Sequence, residues 1–387
     1  MIKTLVAYTT EIDDVDLAVE SIRSQIRSED LCLHSIGIIS CHYEFIHSGA
    51  MKAICEALPF EVAGAVTVNQ STNQAAEAFL LTVMILTGDD ASFTVGITPP
   101  LREDPYRIIE DSYIELASSC GKVPALALSF IPFMLNFSSD EFLDVFTRVS
   151  NGVPCFGTIA LDATDTFKDC YVFANGEHFI DRIVTVFIYA DIHPRFFIGT
   201  ISPDKILPKP ALVTKSNNNI LMEVNGHPVD QYFQDLGLTN EYDSQYATAS
   251  LPFLLDYRDG TPQVSKVFIS HTPERYAVCM GTIPEGTMMY VGVFDKDDVL
   301  LTTGNAVRHA LSECAGNASG MLMYSCVARN MSLGGEPMVE LELVRSIVGD
   351  QLPFVLAYSG GELCPTECCN AKAINRFHNN TFIVCVF

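Results

Sequence analysis

The chain has 387 residues, of which 48% are hydrophobic and 18% charged, enough apolar material for two cores and far from a disordered composition. Its 23 Lys and Arg face 47 Asp and Glu, a formal charge of −24. That charge repels phosphate and excludes nucleic acid and an anionic membrane surface as partners. No basic stripe overrides it, because Lys205 and Lys209, like Arg102 and Arg107, are separated by acids or prolines.

The first fourteen residues hold one lysine and then acids, which is not a secretory signal pattern. Residues 5–9 predict a strand. Val15, Leu17, Ala18, Ile22 and Ile26 then recur at helical spacing. A strand over 31–40, a helix over 48–58 stopped by Pro59, and a strand over 62–68 follow. The longest apolar run, residues 78–86, falls far short of the roughly 20 residues of a membrane helix and predicts a buried strand. Residues 79–86 and 93–97, around Thr87-Gly88-Asp89-Asp90, are expected to form a hairpin. A helix is predicted over 105–119, ending near Gly121, and a strand over 125–131. Ser138 should cap a helix whose first turn carries Asp140 and Glu141. Residues 169–173 and 182–190, flanking Asn175-Gly176-Glu177, are expected to pair as a hairpin closing the first domain.

Pro194 and the proline-rich 203–210 segment place a boundary near residue 195, giving domains 1–195 and 196–387. Beyond it, strands are predicted at 211–214, 220–224, 251–255, 264–269, 276–280 and 288–293, with a helix over 229–236 ended by Gly237. Asp295-Lys296-Asp297-Asp298 lacks the glycine and terminal glutamate of a calcium loop and reads as a solvated turn. The remainder predicts a helix over 302–314, a strand over 321–327, a helix over 338–348, and strands over 354–358 and 382–387. The fold class is α/β (α+β), with two domains, each a mixed, largely antiparallel sheet flanked by helices.

Thirteen cysteines, an odd number scattered from Cys32 to Cys385, predict reduced thiols and a cytoplasmic setting. No phosphate loop, dinucleotide fingerprint, serine elbow or His-Glu-x-x-His motif occurs. Cys364, Cys368, Cys369 and His378, like Cys41, His42 and His47, could nominally hold zinc or haem. Their spacing fits no metal motif, so no metal site is assigned.

The richest stretch is C-terminal. Residues 321–329 end an apolar run on Ser325, Cys326 and Arg329, which places a thiol and a guanidinium at a strand end. The 353–358 run ends on Tyr358 and breaks at Ser359-Gly360-Gly361-Glu362, where paired glycines permit close backbone approach. Asn375, His378, Asn379, Asn380 and Thr381 lead into the last strand.

In this order the pieces resemble the C-terminal half of the FIST domain, with its Ser-Cys-x-x-Arg strand, Tyr-x-x-Gly-Glu turn and Asn-containing last strand. Val213-Thr214-Lys215, Val224-Asn225-Gly226-His227-Pro228 and Ile283-Pro284-Glu285-Gly286 extend the likeness upstream. Pro154-Cys155-Phe156-Gly157 and Val172 to Gly176 resemble the N-terminal half, with Phe156-Gly157 in place of a double glycine.

The resemblance implies a signal-transduction sensor, not an enzyme, that binds a small polar ligand and signals through a separate protein partner. The implied ligand-binding residues are Cys326, Arg329, Tyr358, Gly360, Gly361, Glu362, His378 and Asn379. Arg329 can hold a carboxylate bidentately and Glu362 can accept an ammonium, which suits an amino acid. Equally, Arg329 and Glu362 could pair with each other, Cys326 could be a small core residue, Gly360 and Gly361 plain turn residues, and Tyr358 packing. Two other classes stay open: a haem-binding gas sensor with an axial His or Cys, and an enzyme using Cys326 near His378.

Overall fold

The computed structural model describes residues 2–134, 137–162, 164, 166–237, 251–367 and 373–387. It is a mixed α/β fold whose sheets are mostly antiparallel and flanked by helices. Three six-stranded sheets share one plan. The first runs Lys3–Thr9, Leu81–Gly88, His34–Cys41, Glu61–Val66, Val172–Ala174, Glu177–Phe179. The second runs Ser92–Ile97, Val184–Tyr189, Leu126–Ile131, Cys155–Ile159, Glu362–Glu367, Ala373–His378. The third runs Arg195–Gly199, Phe382–Val386, Met321–Cys326, Phe354–Ser359, Val68–Thr72, Ala76–Glu77. In each the third and fourth strands are parallel and every other pairing is antiparallel.

The chain therefore repeats one unit three times: edge strand, helix, strand, helical crossover, parallel strand, hairpin, strand. Each hairpin leaves its own unit. That of the first pairs on the third sheet, that of the second on the first, and that of the third on the second. At the crossings the backbones bond to one another: Leu161 N–H donates to the Val66 carbonyl (2.9 Å), Gly360 N–H to that of Ile159 (3.0 Å), and Ile159 N–H to that of Gly361 (2.9 Å). Each crossing also buries a polar side chain, Gln70, Asp162 and Glu362 respectively.

Inner faces of all three sheets form one core, with Ile36 and Met84 from the first, Leu128 and Phe156 from the second, and Tyr324 and Val355 from the third. Each outer face is covered by its own helices through a separate apolar cluster. Their ends follow capping chemistry. Asp14 accepts from Leu17 N–H, Asp104 from Arg107 N–H, and Ser138 from Glu141 N–H, while Gly121 ends helix Pro105–Cys120 at φ 61°.

Between Arg195–Gly199 and helix Lys296–Glu313 lies a small barrel of six strands. In order these are Ala211–Asn217, Met288–Val291, Phe253–Asp256, Val264–His271, Ala277–Met280 and Ile220–Val224, the last pairing back onto the first. Phe233 of helix Val229–Asp235 plugs its core against Phe253 and Phe268.

Four local expectations are corrected. Residues 79–86 and 93–97 form no hairpin: Leu81–Gly88 pairs in the first sheet and Ser92–Ile97 is an edge of the second. Val172–Ala174 pairs across Asn175-Gly176 with Glu177–Phe179, and Val184–Tyr189 goes to the second sheet instead. The 62–68 strand splits at Thr67, where the chain changes sheets. Asp295 to Asp298 is a capping box, not a free turn: Asp295 accepts from Asp298 N–H and Asp298 from Asp295 N–H, so the helix starts at Lys296.

Candidate functional site

The parallel strands Met321–Cys326 and Phe354–Ser359 lie with Ser325 opposite Tyr358 and Cys326 opposite Ser359. Strand alternation sends these two pairs to opposite faces. The predicted site residues accordingly divide into two clusters.

The first cluster lies under the helices. Arg329 belongs to the short helix Val327–Ser332, not to a strand end, because the chain turns helical directly after Cys326. Its partner is Glu340, on helix Pro337–Val348, and not Glu362. Both side chains are fully buried, with Arg329 Nη2 and Nε 3.0 and 3.1 Å from Glu340 Oε1. Nη2 also donates to the Val299 carbonyl at 2.9 Å and to Thr303 Oγ1 at 2.6 Å. The other carboxylate oxygen accepts from Ser325 at 2.8 Å and from the Tyr358 hydroxyl at 2.5 Å, and Thr303 donates to Oε1. Burial first and then the Glu340 charge push the Tyr358 phenol well up, so it stays a donor. Arg329 and Tyr358 are thus committed to an internal network. Of these two side chains, the atom left without a partner among the described residues is Arg329 Nη1.

The second cluster lies on the opposite face, at the third crossing. Glu362 is fully buried and accepts from Ser359 Oγ at 2.8 Å and Thr381 Oγ1 at 2.9 Å. Burial raises its carboxyl to about 8, against the lowering effect of the Ser359, Thr381 and Cys326 hydrogen bonds and the Arg329 charge. At neutral pH it is mostly a neutral acid, able to donate as well as accept. Gly360 and Gly361 carry the chain over the crossing. A Cβ on Gly361, at φ 151°, would stand 2.6 Å from the Phe377 ring and 3.1 Å from Asn379 Nδ2, so the asparagine amide rests directly on this turn.

Asn379 is 1% exposed, and its backbone N–H donates to the Ser265 carbonyl of the barrel at 3.0 Å. Neither side-chain atom of Asn379 has a partner among the described residues, and nor has Ser265 Oγ. Buried polar groups are satisfied in the great majority of cases, and leaving one unmatched costs about 1–3 kcal/mol. Three unmatched atoms, two on Asn379 and one on Ser265, give this crossing spare hydrogen-bonding capacity.

Cys326 and His378 do not form a reactive pair. Burial, then the Glu362 charge, push the Cys326 thiol well up, the reverse of nucleophile activation. His378 Nε2 meets the Cys364 carbonyl at 3.3 Å, and burial with the Lys266 charge lowers its imidazole to about 3. Among the described residues no three His, Cys, Asp or Glu side chains gather to hold a metal ion. Cys364 is buried in the central core, and His47 Nε2 lies 2.9 Å from Asp169. Cys368 and Cys369 lie outside the described residues.

Two participants were not expected from the sequence. Glu340 sits four and eight residues before buried Val344 and Val348, so its place on the apolar stripe was readable. Lys266, fully buried, joins the barrel to the body: Nζ donates to both Asp140 oxygens at 2.7 and 2.9 Å and to the Phe377 carbonyl at 2.9 Å. Alternation with buried Val264 and Phe268 was the signal there.

Residues 35–227 match the FIST N domain and residues 228–365 the FIST C domain, together most of the chain. The chain belongs to the FIST family. FIST domains are associated with signal-transduction sensing of small ligands, and the diglycine crossing of this FIST protein falls within the C-domain match. No curated protein matches the chain. Among solved structures, that of PurLQS from Thermotoga maritima is 9% identical over 100% of this chain and 72% of the other, with a TM-score of 0.20. No helix among the described residues is long and apolar enough to cross a membrane.

Proposed function

We propose that this FIST protein is a sensor of a small polar ligand bound at the third crossing, between Glu362, Asn379 and Ser265, and that its output passes to a separate protein partner. The observation that carries the reading is Asn379: a buried amide with donor and acceptor both unmatched, seated on Gly361, the residue before the neutral Glu362 carboxyl. A ligand bearing both donors and acceptors would satisfy it. An amino acid is the first candidate, with its ammonium toward Glu362. The free cysteines among the described residues fit a reducing cytoplasm.

The test is a thermal-shift screen of amino acids and common metabolites against the full chain, since a ligand of the native state raises Tm. Haem belongs in the same screen, with a Soret band as its readout. A hit should be lost in Asn379→Ala and weakened in Glu362→Gln. A panel in which every compound shifts wild type and Asn379→Ala alike would move the site elsewhere.

A further inference from the structure

The barrel does not close completely against the second unit. Between them lies a cavity of about 460 Å³, within the roughly 300–1,000 Å³ range of small-molecule sites. Tyr106, Phe133 and Phe377 wall it on the body side, and Ile220, Ile269 and Met280 on the barrel side. No described lining residue is charged. Such walls give their binding energy to an apolar body, by area and by ring contact.

The lining is polar at Asn218 and Asn219 of the barrel and at one end on the body side. Helix Ser139–Ser150 begins there, and Ser138 and Ser139 both line the space. The Ser138 hydroxyl is occupied, accepting from Glu141 N–H and meeting Thr282 Oγ1 at 2.9 Å. Ser139, 4% exposed, turns onto the same space at the first position of the helix. The first N–H groups of a helix have no intrahelical acceptor, so donors converge at this end. A carboxylate head would nonetheless stand beside Asp140 and Glu141 of the first turn, and the one nearby ammonium, Lys266, is already held by Asp140. An uncharged acceptor such as an amide carbonyl meets the donors without that repulsion.

We infer that this cavity is a second binding site, for an uncharged molecule with an aromatic or branched alkyl body and a carbonyl head group that accepts from Ser139. It is distinct from the Glu362 and Asn379 site, with Phe377 as a wall between the two. Its occupant touches barrel and body together, so binding ties the two.

The test uses the full chain and the neutral fluorophore N-phenyl-1-naphthylamine, displaced by N-benzylbutanamide or by the carboxylate 4-phenylbutanoate. Saturable one-to-one probe binding is expected, with the amide displacing it at a concentration about tenfold below that of the carboxylate. Ile220→Trp and Ile269→Trp fill the cavity from the barrel side and should each weaken probe binding about tenfold with an unchanged circular dichroism spectrum. Ser139→Ala should remove the preference for the amide, and Glu362→Gln should leave the probe untouched. Absence of saturable binding overturns the site. So does wild-type affinity in either tryptophan variant that is folded, and displacement led by the carboxylate overturns the head-group assignment.

Discussion

Arg329 and Glu340 face each other at 3.0 Å with neither side chain reaching solvent, and Ser325, Thr303 and Tyr358 supply the remaining hydrogen bonds of the carboxylate. A charge pair this deep persists only because every oxygen is served, since desolvation opposes it. It pins helices Val327–Ser332 and Pro337–Val348 onto the parallel strand pair, and so fixes the strand ends from which the Glu362 crossing starts.

Glu340→Ala leaves a buried guanidinium without its counter-charge and should cost about 3–5 kcal/mol in urea unfolding. Arg329→Met combined with Glu340→Leu should recover most of that. A loss under about 1 kcal/mol for the single variant would contradict the buried pair.

The Lys266 and Asp140 pair has the same logic across the barrel and body. Burial lowers the Lys266 ammonium, against the raising effect of Asp140. Asp140→Ala should therefore destabilise by about 3–5 kcal/mol, and Lys266→Met by clearly less, because the carboxylate it leaves on Asp140 reaches solvent and keeps the Thr282 N–H. Equal losses in the two variants would show that packing, and not charge, holds this contact.

Gly361→Ala forces a side chain into φ 151° and to 2.6 Å from the Phe377 ring, whereas a Cβ on Gly360 meets nothing nearer than 3.4 Å. The first should lose about 2–3 kcal/mol and the second under about 1. Parallel denaturation curves decide it, and equal losses would contradict the crossing geometry.

These positions also show what was legible in the sequence. The helices announced themselves through caps and stops, such as Ser138 and Gly121, because those depend on neighbours within a turn. Strand positions were mostly right, but partners were not. Leu81–Gly88 and Ser92–Ile97 look like a hairpin locally, yet one is the last strand of the first unit and the other the edge strand of the second, and every unit lends its true hairpin to another. That exchange is a long-range property that no local spacing encodes. Arg329, Tyr358, Glu362 and Asn379 were all singled out as polar residues at strand ends. Arg329 found Glu340 because the chain turns helical after Cys326, which the apolar run did not signal.

Stability should depend on pH through Glu362. Its folded carboxyl titrates at about 8, above the ordinary value of 4.5, so the native state holds the proton more tightly than the unfolded chain. Its contribution is complete below about pH 4.5 and is lost as pH rises from there to about 8. Glu362→Gln should flatten this slope, raising Tm relative to wild type most at pH 8 and least at pH 5. His378, lowered to about 3, acts in the other direction: its contribution is present above about 6.5 and is lost as pH falls toward 3. A wild-type and Glu362→Gln difference that is constant from pH 5 to 8 would contradict a protonated Glu362.

The most direct test of the ligand site is titration calorimetry of the best thermal-shift hit against wild type, Asn379→Ala and Glu362→Gln. Saturable binding in wild type, abolished in Asn379→Ala and at least tenfold weaker in Glu362→Gln while both variants stay folded, is the predicted result, a loss of about 1.4 kcal/mol or more in the second. Undiminished binding in both variants would contradict the assignment of the ligand to the third crossing.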